Sequence, residues 1–86
     1  MSGQIFEAVV AINEDYLGPA ARRFVARHIL FHLAKQPDEL THDDLPKLTE
    51  WTRVTMALLT EDKDVLEAYA RRLQDLEEHY RGERDR

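Results

Sequence analysis

His28 and His32 lie one helical turn apart and are the first residues in this 86-residue chain whose types and spacing could do chemistry. Two imidazoles at i and i+4 on one helix face can share a metal ion. A catalytic zinc helix would add a glutamate beside the first histidine and a third ligand close by. Here Arg27 and Ile29 flank His28, His42 and His79 are distant in sequence, and the chain has no cysteine to supply a thiolate. Their neighbours Phe24, Val25, Ile29 and Phe31 instead predict histidines at the core or its boundary, bonded to nearby groups. No metal and no cofactor are expected.

The run His32-Leu33-Ala34-Lys35-Gln36-Pro37 resembles the phosphoacceptor pattern of histidine kinases, with a base three residues after the histidine and a proline five after it. A helical bundle also resembles phosphotransfer domains. In the kinase pattern an acid follows the histidine and takes its proton, and Leu33 stands there instead. Where the phosphotransfer pattern has a glycine after the lysine, this chain has Gln36. A histidine phosphotransfer bundle using His32 is therefore the alternative reading, and it requires an exposed His32.

Paired carboxylates serve general acid–base catalysis when a pocket separates their pKa values. Asp43/Asp44, Asp62/Asp64 and Glu77/Glu78 instead fall at expected helix starts or on solvated faces, where capping and hydration account for them. The chain has no glycine-rich phosphate loop, no Ser-His-Asp context and no EF-hand spacing. The expectation is a protein that is not an enzyme.

The elements that carry these residues read as helices throughout. Gly18 can close one helix in a left-handed conformation, and Pro19 suits the first turn of the next. A helix is expected from Gly18 to Lys35, with Ala20, Ala21, Phe24, Val25, His28, Ile29, Phe31 and His32 filling one half of its cylinder. Leu33 falls just past that edge, and Leu30 lies among Arg22, Arg23 and Arg27. The preceding helix, Gly3–Leu17 with Ser2 as its cap, bears two stripes: Ile5, Val9, Ile12 and Tyr16, and beside them Phe6, Val10 and Leu17. Together they make roughly 200° of its surface apolar.

Thr41 and Asp44 resemble a capping arrangement before a helix from Pro46 to Leu59. Its expected inner face is Leu48, Trp51, Thr55 and Leu58, widened by Val54 and Leu59, with Trp51 the largest core residue. Thr60 or Asp62 should cap a last helix from Lys63 to Tyr80. There Leu66, Tyr69, Leu73, Leu76 and Tyr80 form a 3-4-3-4 seam, and Glu67/Arg71 and Glu77/Arg81 are exposed i,i+4 pairs. No alternating β-branched run or hairpin dipeptide signals a strand. The expected fold is all-α, a four-helix-bundle-like single domain over residues 1–80 with a frayed charged tail at 81–86.

Charge excludes other classes. The net charge is −5, and the excess acid sits in the second half: residues 38–86 hold fourteen acids against eight bases. Such a domain lacks the basic footprint of nucleic-acid binding, and Arg22, Arg23 and Arg27 read as one helix's solvated side. There is no apolar stretch long enough to span a bilayer and no basic, apolar secretory start. The expectation is a cytoplasmic protein with no nucleic-acid or membrane partner.

Taken together, YLGPAARRFV, HLAKQPDELTHDDLPKLTEW and ALLTEDK, spanning roughly residues 16–66, resemble a small helical domain of unknown function found in bacterial signalling proteins. That resemblance implies an accessory or interaction role in regulation and supplies no catalytic residues. The residues themselves suggest a homodimer, because the second stripe of the first helix and the edge of the second would stay wet in a monomer. Phe6, Val10, Leu17, Leu30 and Leu33 are the candidate interface.

Overall fold

A computed structural model describes residues 3–84, and every regular element among them is helical. Helix α1 spans Gln4–Leu17, α2 Ala21–His28, α3 Leu45–Leu59 and α4 Lys63–Arg84. Ser2, the expected first cap, lies outside the described residues. Gly18 takes φ +60°, and the 3-10 turn Gly18–Ala20, with Pro19 inside it, leads straight into α2. A glycine is suited to this sign of φ, which costs other residues steric strain.

The second helical segment ends earlier than its sequence predicts. After His28 the backbone widens into a π turn, Ile29–Leu33, and Ala34 then enters the left-handed region at φ +55°. Pro37 accounts for this ending, since it drives Gln36 to an extended conformation (ψ 156°) that a helix cannot include. A π turn rotates less per residue than an α turn, so Leu33 swings back and packs half-buried on the core. The buried line of this segment is Ala21, Val25 and Ile29. Ala20 and Phe31, both expected in the buried half, are exposed at its rim.

The connection from Gln36 to Asp44 is built from two capped 3-10 turns. Glu39 accepts from the Gln36 N–H at 2.7 Å, and Asp44 accepts from the Thr41 N–H at 2.9 Å. The second is the arrangement expected from Thr41 and Asp44. Asp62 caps α4 by accepting from the Asp64 and Val65 N–H groups at 3.0 and 3.3 Å. Helix α4 then runs on to Arg84, so the start of the charged tail is helical rather than frayed; arginine and glutamate propagate a helix well. Residues 85–86 lie outside the described part.

Two adjoining clusters make the core. The larger joins Phe6, Val9 and Val10 of α1 to Val25, Ile29, Leu40, Leu45, Leu48 and Tyr80, and the smaller joins Ile12, Met56, Tyr69 and Leu73. Helix α1 packs against both α2 and α4, and α3 packs against α4 and the α2 segment. The α4 seam is as its spacing predicts, with Tyr69, Leu73 and Tyr80 buried and Leu66 and Leu76 half-buried. The one polar side chain of α1 in this interior, Asn13, is held at both ends: its Nδ2 donates to the Val9 carbonyl at 2.9 Å and its Oδ1 accepts from the Tyr69 hydroxyl at 2.6 Å. Burial holds that phenol above its ordinary pKa. No helix among the described residues is long and apolar enough to cross a membrane.

Candidate functional site

Helix α3 carries the largest departure from the sequence expectation. Its buried face is Leu45, Leu48, Thr49, Thr52 and Met56, while Trp51 is 39% exposed, Val54 49% and Leu58 82%. Trp51 is therefore not a core residue: of the expected inner face Leu48 is buried and Thr55 half-buried, while Trp51, Val54, Leu58 and Leu59 point outward. The physical reason lies in the threonines. Thr52 donates to the Thr49 carbonyl at 3.1 Å, and Thr49 contacts the Pro46 carbonyl at 3.2 Å and Glu77 Oε2 at 2.7 Å. A hydroxyl satisfied locally can be buried at little cost, so a face that reads as polar in sequence faces the core.

At roughly 100° per residue, Lys47, Trp51, Val54 and Leu58 fall within one narrow band opposite the buried face. Helix α3 thus has apolar residues on two opposite sides. On one flank of the band Val54 and Ala57 continue into a shallow groove between α3 and α4, about 360 Å³ in volume and walled also by Arg53, Leu66, Glu67 and Ala70. On the other flank Trp51 meets the histidine pair. The His32 ring stacks on the indole at 3.9 Å with the planes 9° apart, and His28 meets His32 edge-on at 5.4 Å and Phe24 at 4.7 Å.

His28 Nε2 lies 2.9 Å from the Thr55 hydroxyl, whose oxygen is also 3.0 Å from the Trp51 carbonyl. If the hydroxyl hydrogen goes to that carbonyl, the imidazole Nε2–H is the donor. Burial first, and then electrostatic repulsion between the two neighbouring imidazoles, holds His28 below the ordinary imidazole pKa. Both histidines are half-buried at the α2–α3 boundary, the setting their flanking residues predict. Among the described residues no three histidine or acidic side chains are grouped to hold a metal ion.

The five residues expected at an interface separate in the structure. Phe6 and Val10 are buried within the chain, and Leu17 and Leu33 are half-buried against the same core. The second stripe of α1 is therefore not wet, because α2 and α4 cover it. Only Leu30 stands exposed. The acidic pairs are structural where the structure gives them partners. Asp44, raised by burial but lowered further by Lys35 at 2.6 Å and by Thr41, ends below its ordinary pKa. Asp62 is a cap, and Glu77 accepts from Thr49 rather than pairing with Arg81.

The chain is all-α, and among its described residues the outer face of α3 carries most of the exposed large apolar side chains, with Leu30 and Phe31 exposed elsewhere. Comparison with known protein families, with curated proteins and with solved structures finds no match.

Proposed function

We propose that the chain is a non-enzymatic helical module that works through protein–protein contacts, as a homodimer in the cytoplasm, with a regulatory role in bacterial signalling. In this reading the fold is four-helix-bundle-like, which the packing of α1 against α2 and α4, and of α3 against α4 and the α2 segment, supports. The observation that carries this reading is the apolar face of α3 turned away from the core, with Leu58 82% exposed. Scattered single leucines on a surface need no explanation, but a helix side bearing tryptophan, valine and leucine in register marks an interaction site. The resemblance over residues 16–66 to a signalling-associated domain agrees with an interaction role. Nothing in the surroundings of His32 favours phosphotransfer: one ring face is covered by Trp51, and Leu33 follows it where an acid would be needed.

Light scattering across a dilution series tests the reading. A dimer mass at high concentration that falls to the monomer mass in Leu58→Asp is expected. A monomer at every attainable concentration would count against a homodimer.

A further inference from the structure

We propose that a polar pocket between α3 and α4 binds a small amino-dicarboxylic acid, with Arg53 and Arg81 each holding one carboxylate and Glu77 holding the ammonium. The pocket lies on the α4 flank of α3 rather than on its outer band, so its occupancy does not depend on self-association.

The pocket exists because one carboxylate does not take its local partner. Glu77 and Arg81 are spaced as an i,i+4 pair, but Glu77 Oε2 instead accepts from the Thr49 hydroxyl of α3 at 2.7 Å. That bond holds the half-buried carboxylate in place. Arg81 is left without a hydrogen-bond or ion-pair partner among the described residues, and so is Arg53 on α3. The space is about 360 Å³, with Thr49 and Arg53 of α3 and Leu73, Glu77, Glu78 and Arg81 of α4 in its walls. Small-molecule sites run from about 300 to 1,000 Å³.

The two bases stand at opposite ends. Arg53 also walls the apolar groove beside Leu66, and Arg81 also walls a smaller recess beside His42 and Pro46, with the polar pocket between them. Thr49 lies opposite Glu77, and Val54 and Ala57 lie opposite Leu66 and Ala70, so α3 and α4 run in opposite directions. Arg53 therefore comes near the level of Leu73, and Arg81 follows about 12 Å further along α4 at 1.5 Å per residue.

A ligand that spans this gap needs an acidic group at each end, where guanidinium and carboxylate can form charge-assisted bonds. A plain dianion would also meet Glu77 and Glu78, so the pocket favours one that carries a positive nitrogen between its acids. Glu77 lies between the two arginines, and its Oε1 has no partner among the described residues, which leaves it able to accept from an ammonium. Buried Leu73 offers the ligand's methylenes an apolar floor.

An NMR titration with L-glutamate tests this, with glutarate, the same diacid without its ammonium, as the comparison. Glutamate should give saturable shifts in the amides around the pocket, and glutarate should bind about tenfold more weakly. Arg53→Gln and Arg81→Gln, both at exposed positions, should each weaken glutamate binding by about tenfold or more. Arg23→Gln, at an exposed position of α2, should leave it unchanged. Glu77→Gln, whose amide oxygen can still accept from Thr49, should erase the preference for glutamate over glutarate. Circular dichroism melts show that each variant is folded. No saturable shift at millimolar glutamate would overturn the proposal. So would equal weakening by Arg23→Gln, or a preference for glutamate that survives Glu77→Gln.

Discussion

Helices α1 and α3 both carry more apolar surface than one neighbour can cover, and the structure treats the surplus in opposite ways. In α1 the two stripes are adjacent and have packing partners on both sides, so Phe6, Val9, Val10 and Ile12 all enter the interior. In α3 the two apolar faces are opposed. Its neighbours, α4 and the α2 segment, cover the Leu45-Leu48-Met56 side, and Trp51, Val54 and Leu58 are left outside. Apolar width alone does not mark an interface. What matters is whether the stripes adjoin, in which case one bundle interior can take both, or oppose, in which case it cannot.

A matched pair of substitutions would break this contrast most strongly. Val10→Asp puts an unpaired charge into the α1 interior and should cost more than about 4 kcal/mol, enough to unfold a domain of this size. Val54→Asp should leave monomer stability within about 0.5 kcal/mol of the parent while abolishing the dimer. Urea unfolding of both variants, with masses by light scattering, checks the pair; equal destabilisation would erase the distinction between the helices.

The contact that ties α1 to α4 gives the next largest effect. Tyr69→Phe removes the donor to Asn13 Oδ1 and leaves a buried acceptor unsatisfied, a loss of about 1–3 kcal/mol. A smaller change is expected for Trp51→Ala, about 0.5–1.5 kcal/mol from the lost stack on His32 and well below the roughly 3–5 kcal/mol of a core tryptophan. A large fall in the unfolding midpoint of this variant would return Trp51 to the core.

The smallest effect is one of pH at the α2–α3 boundary. The folded pKa of His28 lies below its ordinary 6.5, so the unfolded chain binds that proton more readily than the folded one. Its contribution to stability is fully present above the ordinary value and is lost as pH falls through the lower folded one. Urea midpoints taken from above 6.5, the ordinary value, to progressively lower pH should show this loss in the parent and less of it in His28→Gln.

Much of this architecture is legible in the residues. The α4 seam, the Gly18-Pro19 break, and the Thr41/Asp44 and Asp62 caps follow from spacing and side-chain chemistry that act locally. The face of α3 is not legible in the same way. Its two candidate sides differ by Trp51, Val54 and Leu58 against Leu45, Thr49, Thr52 and Met56, and hydrophobicity favours the wrong one because Thr49 and Thr52 satisfy their hydroxyls on carbonyls three residues back, Thr49 also on Glu77, and so enter the core at little cost. The early end of the second helical segment also depends on backbone geometry, a π turn and a left-handed Ala34, that residue type does not announce. The histidine pair was placed correctly by its apolar flanks, but its stack on Trp51 required α3 to be turned outward.

Because Trp51 is the only tryptophan, its fluorescence reports on the face in question. Acrylamide quenching followed through a dilution series is the most direct measurement of the central claim, that this side of α3 is open in the single chain and covered by a second one. The account predicts strong quenching at low concentration that weakens, with a blue shift in emission, as the dimer forms. Quenching that is weak at every concentration would put Trp51 in the core, and strong quenching that never changes would leave the face without its second copy; either result contradicts the account.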